Sequence, residues 1–105
     1  MTTLTTHVLD AVLGRPAAGL EVTLTGPDGA AATAATDDDG RIAFDGDLDP
    51  GEYALEFATG AWFAAADRAY FHPRVSIAFA VAENEPHTHI ALLLSPFAYT
   101  TYKGS

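Results

Sequence analysis

Apolar and polar residues alternate along most of the chain with a period of two, the pattern of strands with one buried face. Residues 87–94 show it most cleanly: Thr88, Ile90, Leu92 and Leu94 share one face, and His87, His89, Ala91 and Leu93 the other. Residues 4–13 predict a first strand, with Val8, Asp10 and Val12 facing one way and His7, Leu9 and Ala11 the other. Residues 19–25 turn Leu20, Val22 and Leu24 inward. Residues 30–36 are Ala-rich and weak, but their neighbours make a third strand the best reading. Residues 41–44 form a short fourth strand and 45–51 a loop. Residues 52–58 point Tyr53, Leu55 and Phe57 inward, and residues 75–81 align Val75, Ile77, Phe79 and Val81.

Two kinds of punctuation complete the pattern. Gly14-Arg15-Pro16, Gly26-Pro27-Asp28-Gly29, Asp37-Asp38-Asp39-Gly40 and Glu83-Asn84-Glu85-Pro86 carry turn chemistry. Ser95-Pro96 breaks the long closing run, because Pro has no N–H to give to a ladder. The β-prone residues 97–102 follow, rich in Thr and aromatics. Residues 61–69 lose the alternation and are Ala-rich, which predicts a helix of about two turns. About eight strands, one short helix and frequent turns predict an all-β two-sheet sandwich.

Composition narrows the function classes. A chain of 105 residues reads as one domain, residues 1–105, with a core limited by its size. Oligomerisation would add buried surface. With no Cys there is no disulfide framework, thiol chemistry or Cys-type zinc site. The net charge of −9 argues against nucleic acid and anionic membrane as partners. No apolar run is long enough to cross a membrane as a helix, and the opening residues lack a basic, then apolar, leader pattern. The expectation is a cytoplasmic protein.

Taken singly, the chemistry-bearing residues are unremarkable. His7 and His89 each point away from the apolar face of a strand, and a lone strand His is more often structural. Arg41 follows a turn, where an exposed Arg is ordinary. His87-Thr88-His89 puts two imidazoles on one strand face, as zinc sites do, but no carboxylate or Cys is evident as a further ligand. Asp37-Asp38-Asp39-Gly40 resembles the start of a calcium loop yet lacks the later ligands, so it reads as a plain turn. Ser95 has no nucleophile-elbow context.

The closing residues 87–105 resemble the last segment of the 5-hydroxyisourate hydrolases, the transthyretin-related enzymes of purine breakdown. His89, Leu92, Leu93, Leu94, Ser95, Pro96, Tyr99, Thr101, Tyr102, Gly104 and Ser105 stand in register with that pattern. The chain departs at Ala91, where the family has Pro, at Ala98 for Gly, at Thr100 for Ser and at Lys103 for Arg. Thr6-His7-Val8-Leu9-Asp10 with Gly14 and Pro16 matches the family's opening motif, and Thr36, Asp39, Gly40 and Arg41 match a second. The similarity thus spans nearly the whole chain.

The resemblance implies a transthyretin-type sandwich of about eight strands, with the short helix between strands five and six. In it the fourth, first, seventh and eighth strands lie side by side and bring Arg41, His7, His89 and Tyr102 to one outer face. It implies a homotetramer, a dimer of dimers, whose cleft between dimers is lined by this face. His7, Arg41 and His89 would then be catalytic, and Tyr102, Lys103, Gly104 and Ser105 would join them in binding 5-hydroxyisourate. His7 and His89 would activate water and move protons, with His89 the preferred base. Arg41 would hold the anionic substrate or stabilise the oxyanion. The scheme calls for no cofactor and no metal. Lys103 keeps the charge of the family Arg but not its fork, and by alternation it faces opposite to Tyr102. The alternative is a non-catalytic transthyretin-like carrier of a small ligand, for which His7, Arg41 and His89 together would have no use.

Overall fold

The computed structural model describes residues 2–105. Its strands are β1 (Thr2–Asp10), β2 (Arg15–Pro16), β3 (Glu21–Thr25), β4 (Ala31–Ala35), β5 (Arg41–Leu48) and β6 (Gly51–Phe57). The helix α1 (Thr59–Ala65) follows, then β7 (Val75–Val81), β8 (His87–Leu94) and β9 (Tyr99–Gly104). One sheet runs β2-β1-β8-β9, with β5 also pairing β1, and the other runs β4-β3-β6-β7. The alternation explains why two sheets form. Leu4 and Val8 of β1, Val22 of β3, Leu55 and Phe57 of β6, and Ile90, Leu92 and Leu94 of β8 are buried between them. Their intervening neighbours face out. Burial of apolar surface of this kind is the main favourable term in folding.

The site is positioned by the first sheet. β1 and β8 run parallel from Thr3↔His87 to Asp10↔Leu94. β5 pairs antiparallel with β1, His7 opposite Arg41. β9 pairs antiparallel with β8, Ala91 opposite Tyr102. β7 and β9 end their sheets, each with one ladder partner.

Several predicted boundaries move, for identifiable reasons. The first strand ends at Asp10 rather than residue 13, because the Asp10 carboxylate accepts from the amides of Val12 and Leu13 and turns the chain. Val12, predicted to share the inner face, is 60% exposed in that turn. The two residues of β2 then pair back onto Leu9 and Asp10, a strand too short to show a pattern. The fourth predicted strand continues as β5 to Leu48 through residues expected to be loop. A register shift between Thr2 and Leu4 accommodates Gly46, whose φ is +83°, and so hides the alternation. The helix starts earlier and stops sooner than residues 61–69. Gly60 lies so close to the backbone of Pro73 that a Cβ would collide, which admits the helix start against that segment. Asp67, at φ +60°, ends it. The last strand is shifted to Tyr99–Gly104, since the Ser95 amide and hydroxyl both donate to the Ala98 carbonyl and make the corner longer.

Candidate active site

Strand register lines up the predicted residues without any further assumption. Residues paired across a ladder share a face. Arg41 of β5, His7 of β1, Ala91 of β8 and Tyr102 of β9 therefore form one row across the outer face. Three inter-strand steps make that row about 14 Å wide. The next row is Ala43, Thr5, His89 and Gly104. A third begins with Thr3 beside His87. One guanidinium, three imidazoles, two hydroxyls and a phenol thus occupy one sheet face.

His89 is the most constrained of these groups. Its ring lies between β1 and β9. Nδ1 is 2.7 Å from the Thr5 hydroxyl. On the other side its Cδ2 rests against Gly104, where any Cβ would collide with the ring. Only Gly lets β9 approach so closely. Burial lowers the His89 pKa from the usual 6.5, and Arg41, with His7 and His87 when they carry charge, pushes the same way. The ring is therefore neutral at neutral pH, with its far nitrogen, Nε2, at the end away from the strand. A neutral imidazole sharing its sheet face with a guanidinium can accept a proton from water while the guanidinium stabilises the resulting oxyanion.

His7 is half-buried and Arg41 exposed, in adjacent positions of the same row. Arg41 is fixed at its backbone by the turn before it, where the Asp37 carboxylate accepts from the amides of Asp39 and Arg41. So the Asp37-Asp38-Asp39-Gly40 stretch acts as the turn that starts β5. Tyr102 lies on the same face as His89, 54% exposed. Lys103 does not join them. It pairs with Ile90, whose side chain is inside the sandwich, and its Nζ lies 3.8 Å from the Glu85 carboxylate. Ser105 follows the end of β9 and is exposed.

Three residues in the cluster carried no such role in the sequence reading: Thr3, Thr5 and His87. The Thr5 hydroxyl is 3.1 Å from Nε2 of His87, and the Thr3 hydroxyl 2.6 Å from its Nδ1. The same alternation that places His7 outside places Thr3 and Thr5 there too, which is the signal that would have found them. The pair His87 and His89 meets on a hydroxyl, and no group of three His, Cys, Asp or Glu side chains among the described residues has metal-binding geometry.

Asp10, in the same motif as His7, does separate work. Its carboxylate is buried on the inner face, 2.6 Å from Nη1 of Arg68. The Arg68 guanidinium lies 4.8 Å from the Phe63 ring centroid and 5.7 Å from that of Trp62. Burial raises the Asp10 pKa, but Arg68 and the amides of Leu13 and Val12 outweigh it and hold the carboxyl below its usual 3.8.

Comparison with known proteins gives a consistent picture. Residues 4–104 match the model of the HIUase/Transthyretin family. The 5-hydroxyisourate hydrolase of Caulobacter vibrioides is 43% identical over the full length of both chains. The solved 5-hydroxyisourate hydrolase of Klebsiella pneumoniae is 40% identical, with a TM-score of 0.92 over 100% of this chain and 94% of that one. Sea bream transthyretin in complex with thyroxine is 33% identical, with a TM-score of 0.85 over 96% and 93% of the two chains.

Proposed function

The chain belongs to the HIUase/Transthyretin family and its activity is the hydrolysis of 5-hydroxyisourate in urate degradation; we propose that the outer face of the β5-β1-β8-β9 sheet is where the ring opens. The observation that carries this assignment is the register that sets Arg41 beside His7 and His89 one row away. The reaction is attack of water on a ring carbonyl, with cleavage of a cyclic C–N bond. Nε2 of His89 takes the proton as the water oxygen bonds to the carbonyl carbon. Arg41 neutralises the oxyanion that forms, and its planar fork suits the paired oxygens of a urate-like anion. The carbonyl re-forms as the C–N bond breaks. The proton taken by His89 passes by way of His7, next to Arg41, to the departing nitrogen, so both rings end as they began. Tyr102, Gly104 and Ser105 bound the pocket on the β9 side. The scheme uses no cofactor or metal.

One chain offers these groups on an open sheet face, whereas hydrolysis gains from a walled, partly dry site. That argues for assembly, and we assign a homotetramer in which a second pair of chains covers the face. Two features support it. β7 and β9 leave ladder edges open, with an apolar groove of about 280 Å³ between them lined by Ile77, Phe79, Ile90 and Thr101. Leu13 and Phe97 are 49% and 67% exposed in the loops that end β1 and precede β9. In such an assembly Lys103 reaches substrate only from a neighbouring chain. Residence in the cytoplasm belongs to the same proposal. No helix among the described residues is long and apolar enough to cross a membrane, and cell fractionation tests the compartment.

The deciding experiment follows the ultraviolet absorbance of freshly generated 5-hydroxyisourate. Wild-type protein accelerates its decay. His89→Ala and Arg41→Ala each lower kcat/KM by about 10²–10⁴ while leaving the fold intact. Full activity in both variants would move the reaction to another surface. A folded wild type that leaves the decay unchanged would favour a non-catalytic carrier in the same cleft.

A further inference from the structure

We propose that Thr5 and His87 are positioning residues that lock His89 in the tautomer with a bare Nε2, through a line of hydrogen bonds running along the sheet face. The proposal rests on the reading of His89 as the base. The geometry is a continuous chain of side chains from two adjacent parallel strands. Nδ1 of His89 meets Thr5 Oγ1 at 2.7 Å, Thr5 Oγ1 meets Nε2 of His87 at 3.1 Å, and Nδ1 of His87 meets Thr3 Oγ1 at 2.6 Å. At its far end the Thr3 hydroxyl donates to the Pro86 carbonyl at 3.4 Å.

A carbonyl only accepts, so that last contact sets the direction of all the others. With its proton on Pro86, the Thr3 oxygen accepts from Nδ1–H of His87. A neutral His87 protonated at Nδ1 has a bare Nε2, which accepts the Thr5 proton. The Thr5 oxygen then accepts from Nδ1–H of His89. The proton of the neutral His89 ring is thus held at Nδ1, and Nε2 is left as the acceptor a general base requires. Each hydroxyl gives one proton and takes one, so every link in the line is satisfied.

The parallel pairing of β1 with β8 makes this arrangement possible. In that register Thr3 and Thr5 lie beside His87 and His89 two residues apart on both strands, so the hydroxyls and rings interleave. The acid in a Ser-His-Asp triad does comparable work, holding one nitrogen so that the other is in the right form. Here a neutral hydroxyl does it. The ring therefore gains an orientation without a nearby anion that would raise its pKa.

The test combines side-chain nitrogen NMR with kinetics on the full-length protein. In wild type the His89 ring shows the Nδ1–H tautomer, the form a free imidazole favours less. Thr5→Val keeps shape and strand preference but removes the hydroxyl. It converts His89 to the Nε2–H form and lowers kcat by about 10- to 100-fold, with KM little changed. Thr5→Ser restores both. His87→Phe takes away the acceptor of the Thr5 proton, which turns to Nδ1 of His89 and gives the same tautomer change. A wild-type His89 already in the Nε2–H form overturns the proposal, as does Thr5→Ser falling as far as Thr5→Val. The NMR result stands without turnover. A protein with the Nδ1–H tautomer but no hydrolysis would keep the clamp and sink the assignment of His89 as base.

Discussion

His89 carries the sharpest residue-scale consequence, because its environment disfavours the charged form. Burial is the largest cause, followed by the positive charges of Arg41 on β5, His7 on β1 and His87 on β8, while β9 meets the ring with Gly104. A base must be neutral to act, so kcat/KM rises with pH through the His89 pKa of the free enzyme. That acid limb should lie below pH 6.5, and a limb at or above 6.5 in a pH–rate profile would argue against His89 as base. Gly104 gives a second consequence. Gly104→Ala drives a methyl into the His89 ring, so activity should fall by about tenfold or more from misplacement of the ring, with the Tm changing far less. An unchanged kcat/KM in that variant would mean the ring can move freely. Much of this site was legible in the sequence. Period-two alternation turned His7 and His89 outward, and the family resemblance implied the strand order that sets Arg41 and Tyr102 beside them. Lys103 was legible as facing the other way, although its contact with Glu85 was not. Thr3 and Thr5 escaped, and His87 was weighed only as a metal ligand, because a hydroxyl's role depends on what stands beside it on the neighbouring strand. Cross-strand register is not written in a single strand's pattern.

At the scale of elements, the Asp10–Arg68 pair ties the end of β1 to the segment after α1. Asp10 is almost wholly buried, and Arg68 stacks over Phe63, which is itself in the core. Removing one partner of a buried pair leaves an uncompensated charge, at a cost of about 3 kcal/mol or more. Arg68→Met keeps the packing on Phe63 and removes only the charge, so chemical denaturation should show a loss of that order. A loss below about 1 kcal/mol would mean that water solvates Asp10 once Arg68 is gone. The pair also fixes the sign of one pH effect. The folded Asp10 pKa is below the unfolded 3.8, so its stabilisation is complete above 3.8 and is lost as pH falls through the folded value. Arg68→Met should weaken that acid dependence. The sequence marked Asp10 as part of a motif and put it on the inner face with Val8. It gave no sign of the partner 58 residues away, because long-range pairing follows from sheet topology. β7 and β8 were located to the residue, and the equally regular β3 and β6 to within one or two residues. Elements with a bulge, a short strand or a glycine-dependent contact were displaced, since there local geometry overrides the period.

Scale of the whole molecule bears on whether one chain suffices. A concavity of about 450 Å³ lies at the sheet end between Pro27, Asp45, Asp47 and Tyr53, and includes none of the site residues. The imidazoles and Arg41 instead lie on a face with no wall. An enzyme with its polar groups on such a face leaves substrate and oxyanion in bulk water, where electrostatic stabilisation is weak. Assembly that covers the face changes the dielectric around groups already in place. If this is how the site is completed, activity and assembly are linked by mass action and must be lost together. Phe97 is a suitable lever. It is 67% exposed at the β8–β9 corner and outside the core, so a charge there costs little in the monomer yet is expensive in a closed apolar contact. Phe97→Glu should therefore leave the far-ultraviolet circular dichroism unchanged, shift sedimentation to smaller species, and lower specific activity most at low protein concentration. Raising the concentration should recover part of it. A variant that sediments as dissociated chains yet keeps wild-type kcat/KM would show that one sheet face is a complete site, and the requirement for a covering subunit would fall.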